Sequence, residues 1–224
     1  MKDLLPIIDP AQFIDADGTV KMPKYAPGNP RNYRMNCSKA QLNINGTQNV
    51  TKPGESFRVL PIAFRILSDA LFNTPHKRWC EVYFINQRGH LSMFMFHSYS
   101  LENLEAEFNR SLFYDELNYC NAVWTVTFQK KVNKENASYY LATFDFEPLI
   151  PEQQQKADLL VQTLKDNDLH IFRADTVSSK TEAVINWSDP KAEKETAPKA
   201  AAEQSAATSK TGTKAKKAKA AAAA

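Results

Sequence analysis

The sequence has few cysteines, no long apolar run and no signal-like start, and each absence excludes a class of protein. Three widely spaced cysteines, Cys37, Cys80 and Cys120, make no disulfide framework and fit a reducing cytosol. No stretch approaches the ~18 apolar residues of a membrane span, and proline and aspartate break the first ten residues, which argues against a secretory signal. The expected location is therefore the cytoplasm, or the host cytoplasm if the protein is viral, with no membrane partner.

Signatures of enzymes and of cofactor sites are also missing. The sequence contains no phosphate-binding loop, no Gly-x-Ser-x-Gly and no His-Glu-x-x-His. His76 and Cys80 stand four residues apart, but structural zinc usually takes two close ligand pairs and only this loose pair is present. We therefore expect a protein that is not an enzyme, with no metal ion, no cofactor and no small-molecule substrate.

Positive charge is concentrated at the C-terminal end of the chain. Residues 188–224 hold eight lysines and four acids, a net charge of +4, whereas the whole chain carries +3. This stretch is rich in Ala, Lys, Thr and Ser, lacks the apolar content to fold alone, and resembles the flexible basic arms of linker histones. It is predicted to be a disordered tail that contacts nucleic acid weakly, the alternative being a solvated linker.

Residues 1–36 hold many prolines with cations and aromatics between them, such as Lys24, Tyr25 and Arg31. This composition predicts an extended N-terminal arm stiffened by proline. One interpretation is an arm that touches a polyanion or a second copy of the chain, giving self-association. The other is an arm that packs over its own domain.

Residues 37–187 contain the alternating apolar and polar positions that indicate strands. The strand-like runs are Glu55–Ser68, Trp79–Asn86, His90–Ser98, Ala122–Val132 and Ser138–Glu147. Turns are predicted at Asn86–Gly89 and Asn133–Asn136, a helix at Leu101–Phe113, and a second short helix from Pro151 to about Asp166. The first run should have a free edge or a bulge at Pro61, because proline cannot donate to a ladder.

The order of these elements is one strand, a hairpin, a helix and a second hairpin. That order is the connectivity of the five-stranded oligonucleotide-binding barrel, in which a helix lies between strands three and four. The predicted fold class is therefore mainly β, an oligonucleotide-binding-like barrel followed by a short C-terminal helix. With its aromatic hairpin and low-complexity tail, the chain resembles the single-stranded DNA-binding proteins of large bacteriophages and bacteria.

The resemblance implies a groove across strands two and three, where bases stack on aromatics and cations neutralise phosphates. The predicted stacking residues are Trp79, Tyr83, Phe94 and Phe96, whereas Trp124 and Phe128 are assigned to the core. The predicted phosphate-binding residues are Arg58, Arg65, Lys77, Arg78, Arg88, Lys130, Lys131 and Lys134, with Lys214, Lys216 and Lys217 in the tail.

The leading hypothesis is a single-stranded DNA-binding protein of a phage or mobile element, active in DNA replication or recombination. The alternative is a virion structural or cargo protein that is packaged with DNA, whose tail meets nucleic acid. An accessory factor that binds double-stranded DNA is a third hypothesis.

Overall fold

A computed structural model describes residues 2–25, 30–71, 74–112, 120–169, 171 and 181–186. The chain divides into two units, Met1–Pro190 and Lys191–Ala224, and all described residues belong to the first. The predicted tail, 188–224, lies outside the described residues, and Lys214, Lys216 and Lys217 lie there with it.

The first unit is mainly β, as the alternation predicts. The strands among the described residues are β1 (Arg31–Asn36), β2 (Gln41–Ile44), β3 (Gln48–Asn49), β4 (Phe57–Val59), β5 (Ala63–Asp69), β6 (Lys77–Ile85), β7 (Leu91–His97), β8 (Ala122–Val132), β9 (Ser138–Pro148) and β10 (Thr181–Asn186). The helices are α1 (Tyr99–Glu107), which continues as a π-helical turn Phe108–Leu112, and α2 (Pro151–Asp166), with 3-10 turns at Lys2–Leu4 and Pro10–Phe13. Both predicted helices and both predicted turns are present, although Phe113 lies outside the described residues.

The strands form two sheets that do not close into a barrel. One sheet has the order β10-β5-β6-β7-β1-β2-β3 and the other β4-β8-β9. The reason lies in Arg31–Asn36, which we assigned to the arm but which forms β1 and pairs in parallel with β7. Because β1 occupies the edge of the β6–β7 hairpin, the sheet continues through β2 and β3 at the position where a barrel would close.

The first predicted strand is bent and belongs to both sheets. It is interrupted at residues 60–62 around Pro61, where the sequence predicts a free edge or a bulge. Before the break β4 pairs with β8, and after it β5 pairs with β6. This segment therefore ties the two sheets together.

Aromatic side chains from the two sheets meet in the core between them. Phe57 of the small sheet contacts Phe94 of the large sheet with ring centroids 5.7 Å apart, and Phe64 contacts Trp124 at 6.2 Å. Trp124 is fully buried, as predicted, and Phe128 is partly buried against the same cluster. Edge-to-face contacts of this kind add to the hydrophobic stabilisation of burial.

The described part of the N-terminal arm packs on its own domain. Leu4, Ile7 and Phe13 are buried in the core cluster. The Tyr33 hydroxyl donates a hydrogen bond to the Leu4 carbonyl oxygen over 2.8 Å, and the Ile7 amide donates to the Ile85 carbonyl over 2.8 Å. Of the two interpretations of the arm, packing over its own domain is the one that these contacts fit, because the apolar side chains complete the core.

Candidate nucleic-acid interface

The predicted stacking residues on β7 belong to the core. Phe94 and Phe96 are 0% and 3% exposed. They point towards the small sheet, where Phe94 contacts Phe57 and Phe96 lies 5.2 Å from the Phe144 ring. A ring without accessible surface offers no face to a base, so the prediction of stacking is wrong for these two residues. The second sheet covers them.

The predicted stacking residues on β6 point to the opposite face of the large sheet, but they too are covered. Trp79 and Tyr83 are each 5% exposed. The Trp79 indole donates to the Asp69 carbonyl oxygen over 3.1 Å, and the Tyr83 hydroxyl donates to Glu81 Oε2 over 2.9 Å. Burial, reinforced by the Glu81 carboxylate, raises the pKa of Tyr83, which is therefore neutral. Neither ring is free to stack on a base in this arrangement, so these two predictions are also wrong.

The four arginines predicted to bind phosphate are held by acids of the same domain. Arg58 pairs with Glu147, Arg65 with Glu81, Arg78 with Glu105 over 2.7 Å, and Arg88 with Asp3 over 2.7 Å. Each of these charges is balanced locally, which weakens its attraction for a polyanion. The arginine predictions are therefore not supported as phosphate contacts.

The four predicted lysines have a different environment. Lys130 and Lys131 lie exposed near the end of β8, and Lys134 lies exposed in the following turn. Lys77 begins β6 and is half-buried. The β8–β9 hairpin therefore presents a group of positive charges to solvent at one end of the domain.

A cleft lies beside this lysine group, and we call it the tyrosine cleft. It has a volume of about 270 Å³ and lies where β1 and β7 end and where α1 and β9 begin. Its lining includes Arg34, Trp79, Tyr99, Tyr139 and Tyr140. Among the described residues that line it there is no Asp or Glu. The cleft thus combines aromatic rings with a cation and lacks negative charge.

The position of the tyrosines on β9 follows from the register of the hairpin. Lys130 lies opposite Tyr140, and Lys131 lies opposite Tyr139. Directly opposed side chains in an antiparallel pair have Cβ atoms about 4.5–5.5 Å apart. Lys130 and Tyr140 therefore share one face of the hairpin, and Lys131 and Tyr139 share the opposite face. The Tyr140 amide also donates to the Cys37 carbonyl oxygen over 2.8 Å, which fixes β9 against the end of β1.

Tyr99 is the most accessible ring of the cleft. Its exposed fraction is 58%, and it is the one aromatic among the exposed large apolar side chains of the described residues. It opens α1, directly after Ser98, whose backbone has φ 52° and ψ −134°. Non-glycine residues rarely adopt this conformation, and such strain tends to persist at functional positions. An unpaired, solvent-facing tyrosine on a strained turn is poorly explained by core packing.

A second depression, of about 390 Å³, continues from the cleft. Lys77, Arg78 and Glu102 line it, and it shares Ser98 and Tyr99 with the cleft. Tyr99 therefore stands as a ridge between two hollows. Burial and the positive charge of Lys77 lower the pKa of His97, which lies on the cleft side, so this histidine is neutral at pH 7.

The sequence predictions named the lysines of this surface and Trp79, but not its tyrosines. Tyr139 and Tyr140 immediately follow the lysine-containing turn, a signal that could have identified them. Tyr99 lies two residues before the predicted helix and Arg34 within the predicted arm, and neither was predicted to bind. The signal for Tyr99 was its place at the N-terminal end of a helix whose apolar stripe does not include it.

Two general findings complete the description. In the part of the chain that the structure describes, no group of three His, Cys, Asp or Glu side chains is placed to hold a metal ion. No helix in that part is long and apolar enough to cross a membrane. Cys80, once considered with His76, is fully buried, and desolvation raises the pKa of its thiol.

No protein-family model, no curated protein and no solved structure matches this chain.

Proposed function

We propose that this protein is a non-enzymatic single-stranded DNA-binding protein whose described binding surface is the tyrosine cleft. The observation that carries the proposal is the combination of the exposed Tyr99 with Tyr139 and Tyr140, each of which has a lysine opposite it. Proteins bind single strands without reading their sequence through two interactions: bases stack on aromatic side chains, and adjacent cations neutralise the phosphates. The setting expected from the resemblance is phage or mobile-element DNA replication or recombination.

The dimensions of the cleft support a single-stranded partner. A volume of about 270 Å³ lies below the range of ~300–1,000 Å³ that encloses a drug-sized ligand. A planar base that enters from one side suits such a small site, and its phosphates would remain outside. Lys130 lies beside Tyr140 on one face of the hairpin and Lys131 beside Tyr139 on the other, so each face offers one lysine to phosphates. A duplex, in contrast, keeps its bases stacked on one another and unavailable to the tyrosines.

The barrel remains part of this proposal in a modified form. The order of elements along the chain from β5 to β9 is that of the oligonucleotide-binding barrel: three strands (β5, β6 and β7), a helix (α1) and two more strands (β8 and β9). We infer that the domain is an opened variant of that fold, in which β1 has been added to the edge of β7. The tyrosine cleft lies beside that added strand.

The proposal is tested by titrating the full-length protein with oligo(dT) and following tryptophan emission, because Trp79 lines the cleft. Salt-dependent quenching is expected. If the emission does not change and no complex forms at low ionic strength, the proposal is refuted, and a packaged structural or cargo protein becomes the better hypothesis.

The lysines provide a second and more specific test. Each phosphate contact to a single strand contributes about 0.7 to the slope of log K against log salt, so the double variant Lys130→Gln/Lys131→Gln should reduce that slope by about 1.4. The matched control Lys156→Gln/Lys165→Gln removes two lysines of α2 and should leave the slope unchanged. An equal change of slope in both double variants would mean that the salt dependence reflects the net charge of the protein and not contacts made by Lys130 and Lys131.

Truncation distinguishes DNA binding by the tail from DNA binding by the cleft. Removal of residues 188–224 should weaken binding without abolishing it. Complete loss would assign the activity to the tail and would contradict the proposal.

A further inference from the structure

A second pocket lies away from the tyrosine cleft, and we call it the basic pocket. It has a volume of about 480 Å³ and is lined by Lys24, Tyr25, Arg31, Asn32, Asn45 and His90. None of its described lining residues is Asp or Glu. It belongs to the beginning of β1, whereas the tyrosine cleft belongs to its end. Arg31 and Arg34 are three residues apart on this strand, which corresponds to about 10 Å.

The two cations of the pocket are positioned by backbone hydrogen bonds. The Lys24 amide donates to the Gly89 carbonyl oxygen over 2.6 Å, and the Lys24 carbonyl oxygen accepts from the Leu91 amide over 3.0 Å. Arg31 lies opposite Ser92 in the parallel β1–β7 ladder. The backbones of both residues are therefore fixed against the start of β7. A preorganised pair of charges binds an anion at a smaller entropic cost.

Two polar atoms in the lining have no hydrogen-bond partner. Asn32 Oδ1 and His90 Nδ1 are both buried from solvent and unpaired. Nearly all buried polar atoms in folded proteins are paired, and each one left unpaired is costly. Two of them in one pocket indicate that a polar ligand completes the site. Asn32 Oδ1 can only accept a hydrogen bond, so the ligand has to carry a donor as well as an anionic group.

The electrostatics of the pocket favour a dianion. Burial and the nearby positive charges of Arg31, Lys24 and Arg88 lower the pKa of His90, so this ring is neutral at pH 7. Arg88 is paired with Asp3, which leaves Lys24 and Arg31 as the two permanent charges of the lining. Phosphate monoesters carry about −1.5 to −2 charges at pH 7, whereas a diester carries one. Two fixed positive charges match the monoester better.

We propose that the basic pocket binds the phosphate monoester of a nucleotide. Lys24 and Arg31 neutralise the phosphate, the Tyr25 ring packs against the base or sugar, and Asn32 accepts a hydrogen bond from the nucleoside. The same chemistry is available from two sources, a free mononucleotide and the phosphorylated end of a DNA strand. The site stands on its own geometry and does not depend on binding at the tyrosine cleft.

The test uses the histidine Cε1–H resonances of the full-length protein, which has four histidines. The His90 signal is assigned by its loss in His90→Gln. Deoxythymidine monophosphate should shift this signal and raise the pKa of His90, because a bound dianion offsets the surrounding positive charge. Inorganic phosphate should bind more weakly. Absence of a His90 shift with the nucleotide would overturn the proposed site, and equal binding of the two probes would overturn the nucleoside contact.

Variants identify the residues, and oligonucleotides identify the source. Arg31→Gln and Lys24→Gln should each weaken nucleotide binding about 10- to 100-fold. The control Arg110→Gln changes an exposed arginine on the far helix, paired with Glu107, and should bind normally. Unchanged affinity in both Arg31→Gln and Lys24→Gln would contradict the proposal.

Oligo(dT) with a 5′ phosphate is compared with the same strand without it. A His90 shift only with the phosphorylated strand identifies a strand end as a source, and a shift with the mononucleotide alone identifies a free nucleotide. Equal shifts with both strands would show that internal diesters occupy the pocket and would refute monoester recognition. None of these results depends on Tyr99, so failure here and failure of the tyrosine cleft are distinguishable.

Discussion

The strongest test of the tyrosine cleft is Tyr99→Ala. Stacking of one base on an aromatic side chain is worth about 1–3 kcal/mol, so the dissociation constant for oligo(dT) should rise about 5- to 150-fold. The side chain is 58% exposed, so its removal leaves no cavity in the core. The free energy of unfolding should change by no more than about 0.5 kcal/mol, as for other surface substitutions. Loss of affinity without loss of stability is thus the expected signature.

The assay is fluorescence anisotropy of a 3′-labelled oligo(dT), with stability measured by thermal unfolding. Anisotropy is preferred to tryptophan emission here, because Tyr99 and Trp79 line the same cleft and the substitution could alter the emission signal itself. The matched control is Ile150→Ala, which removes a side chain of the same 58% exposure at the start of α2. If Tyr99→Ala binds as tightly as the unaltered protein, or if the control loses as much affinity, the assignment of the cleft is refuted.

Three further predictions concern the fold. Phe94→Ala should lower the free energy of unfolding by about 3–5 kcal/mol, because it leaves a cavity at a fully buried site between the sheets. A loss below about 1 kcal/mol in a denaturant titration would contradict the place of Phe94 in the core. Ser98→Gly should raise the melting temperature by about 2–4 °C, because glycine adopts the backbone conformation of φ 52° without strain, and a lower melting temperature would count against strain. Burial raises the pKa of the Cys37, Cys80 and Cys120 thiols. An aromatic disulfide reagent at pH 7 should therefore react first with half-buried Cys37, and with the two fully buried thiols only in denaturant. Rapid reaction of all three thiols in the native protein would refute the burial of Cys80 and Cys120.

Strand alternation predicted the β6–β7 hairpin but not which of its aromatics would be accessible. Trp79 and Phe94 lie in the same hairpin on opposite faces, and both faces are apolar. Whether a face is covered depends on strands that are distant in sequence, since Phe94 is buried by the sheet that contains β4 and β8. No local pattern contains that information.

The assignment of residues 31–36 to the arm failed for a related reason. The prolines that precede them suggested an extended segment, and extended segments and strands have similar backbones. The difference is made by the parallel partner β7, which lies far along the chain and is not marked by any turn. Burial of Tyr33 beneath Leu4 is the result.

The lysines of the candidate site were predictable because a lysine in a polar turn between two strands has to face solvent. The tyrosines beside them needed the register of β8 with β9, which places Lys130 opposite Tyr140. Tyr99 needed knowledge of what α1 covers. Charge was therefore predicted from composition, whereas the stacking surface required the three-dimensional arrangement.

The bent strand has a consequence for how the protein is made. Its first half, β4, finds its partner β8 only after α1 has been synthesised, and the outer edge of β5 is covered by β10, close to the end of the first unit. During vectorial synthesis both edges stay open, and unpaired strand edges are templates for association with other chains. Until β8 and β10 have been synthesised, association through these edges competes with folding.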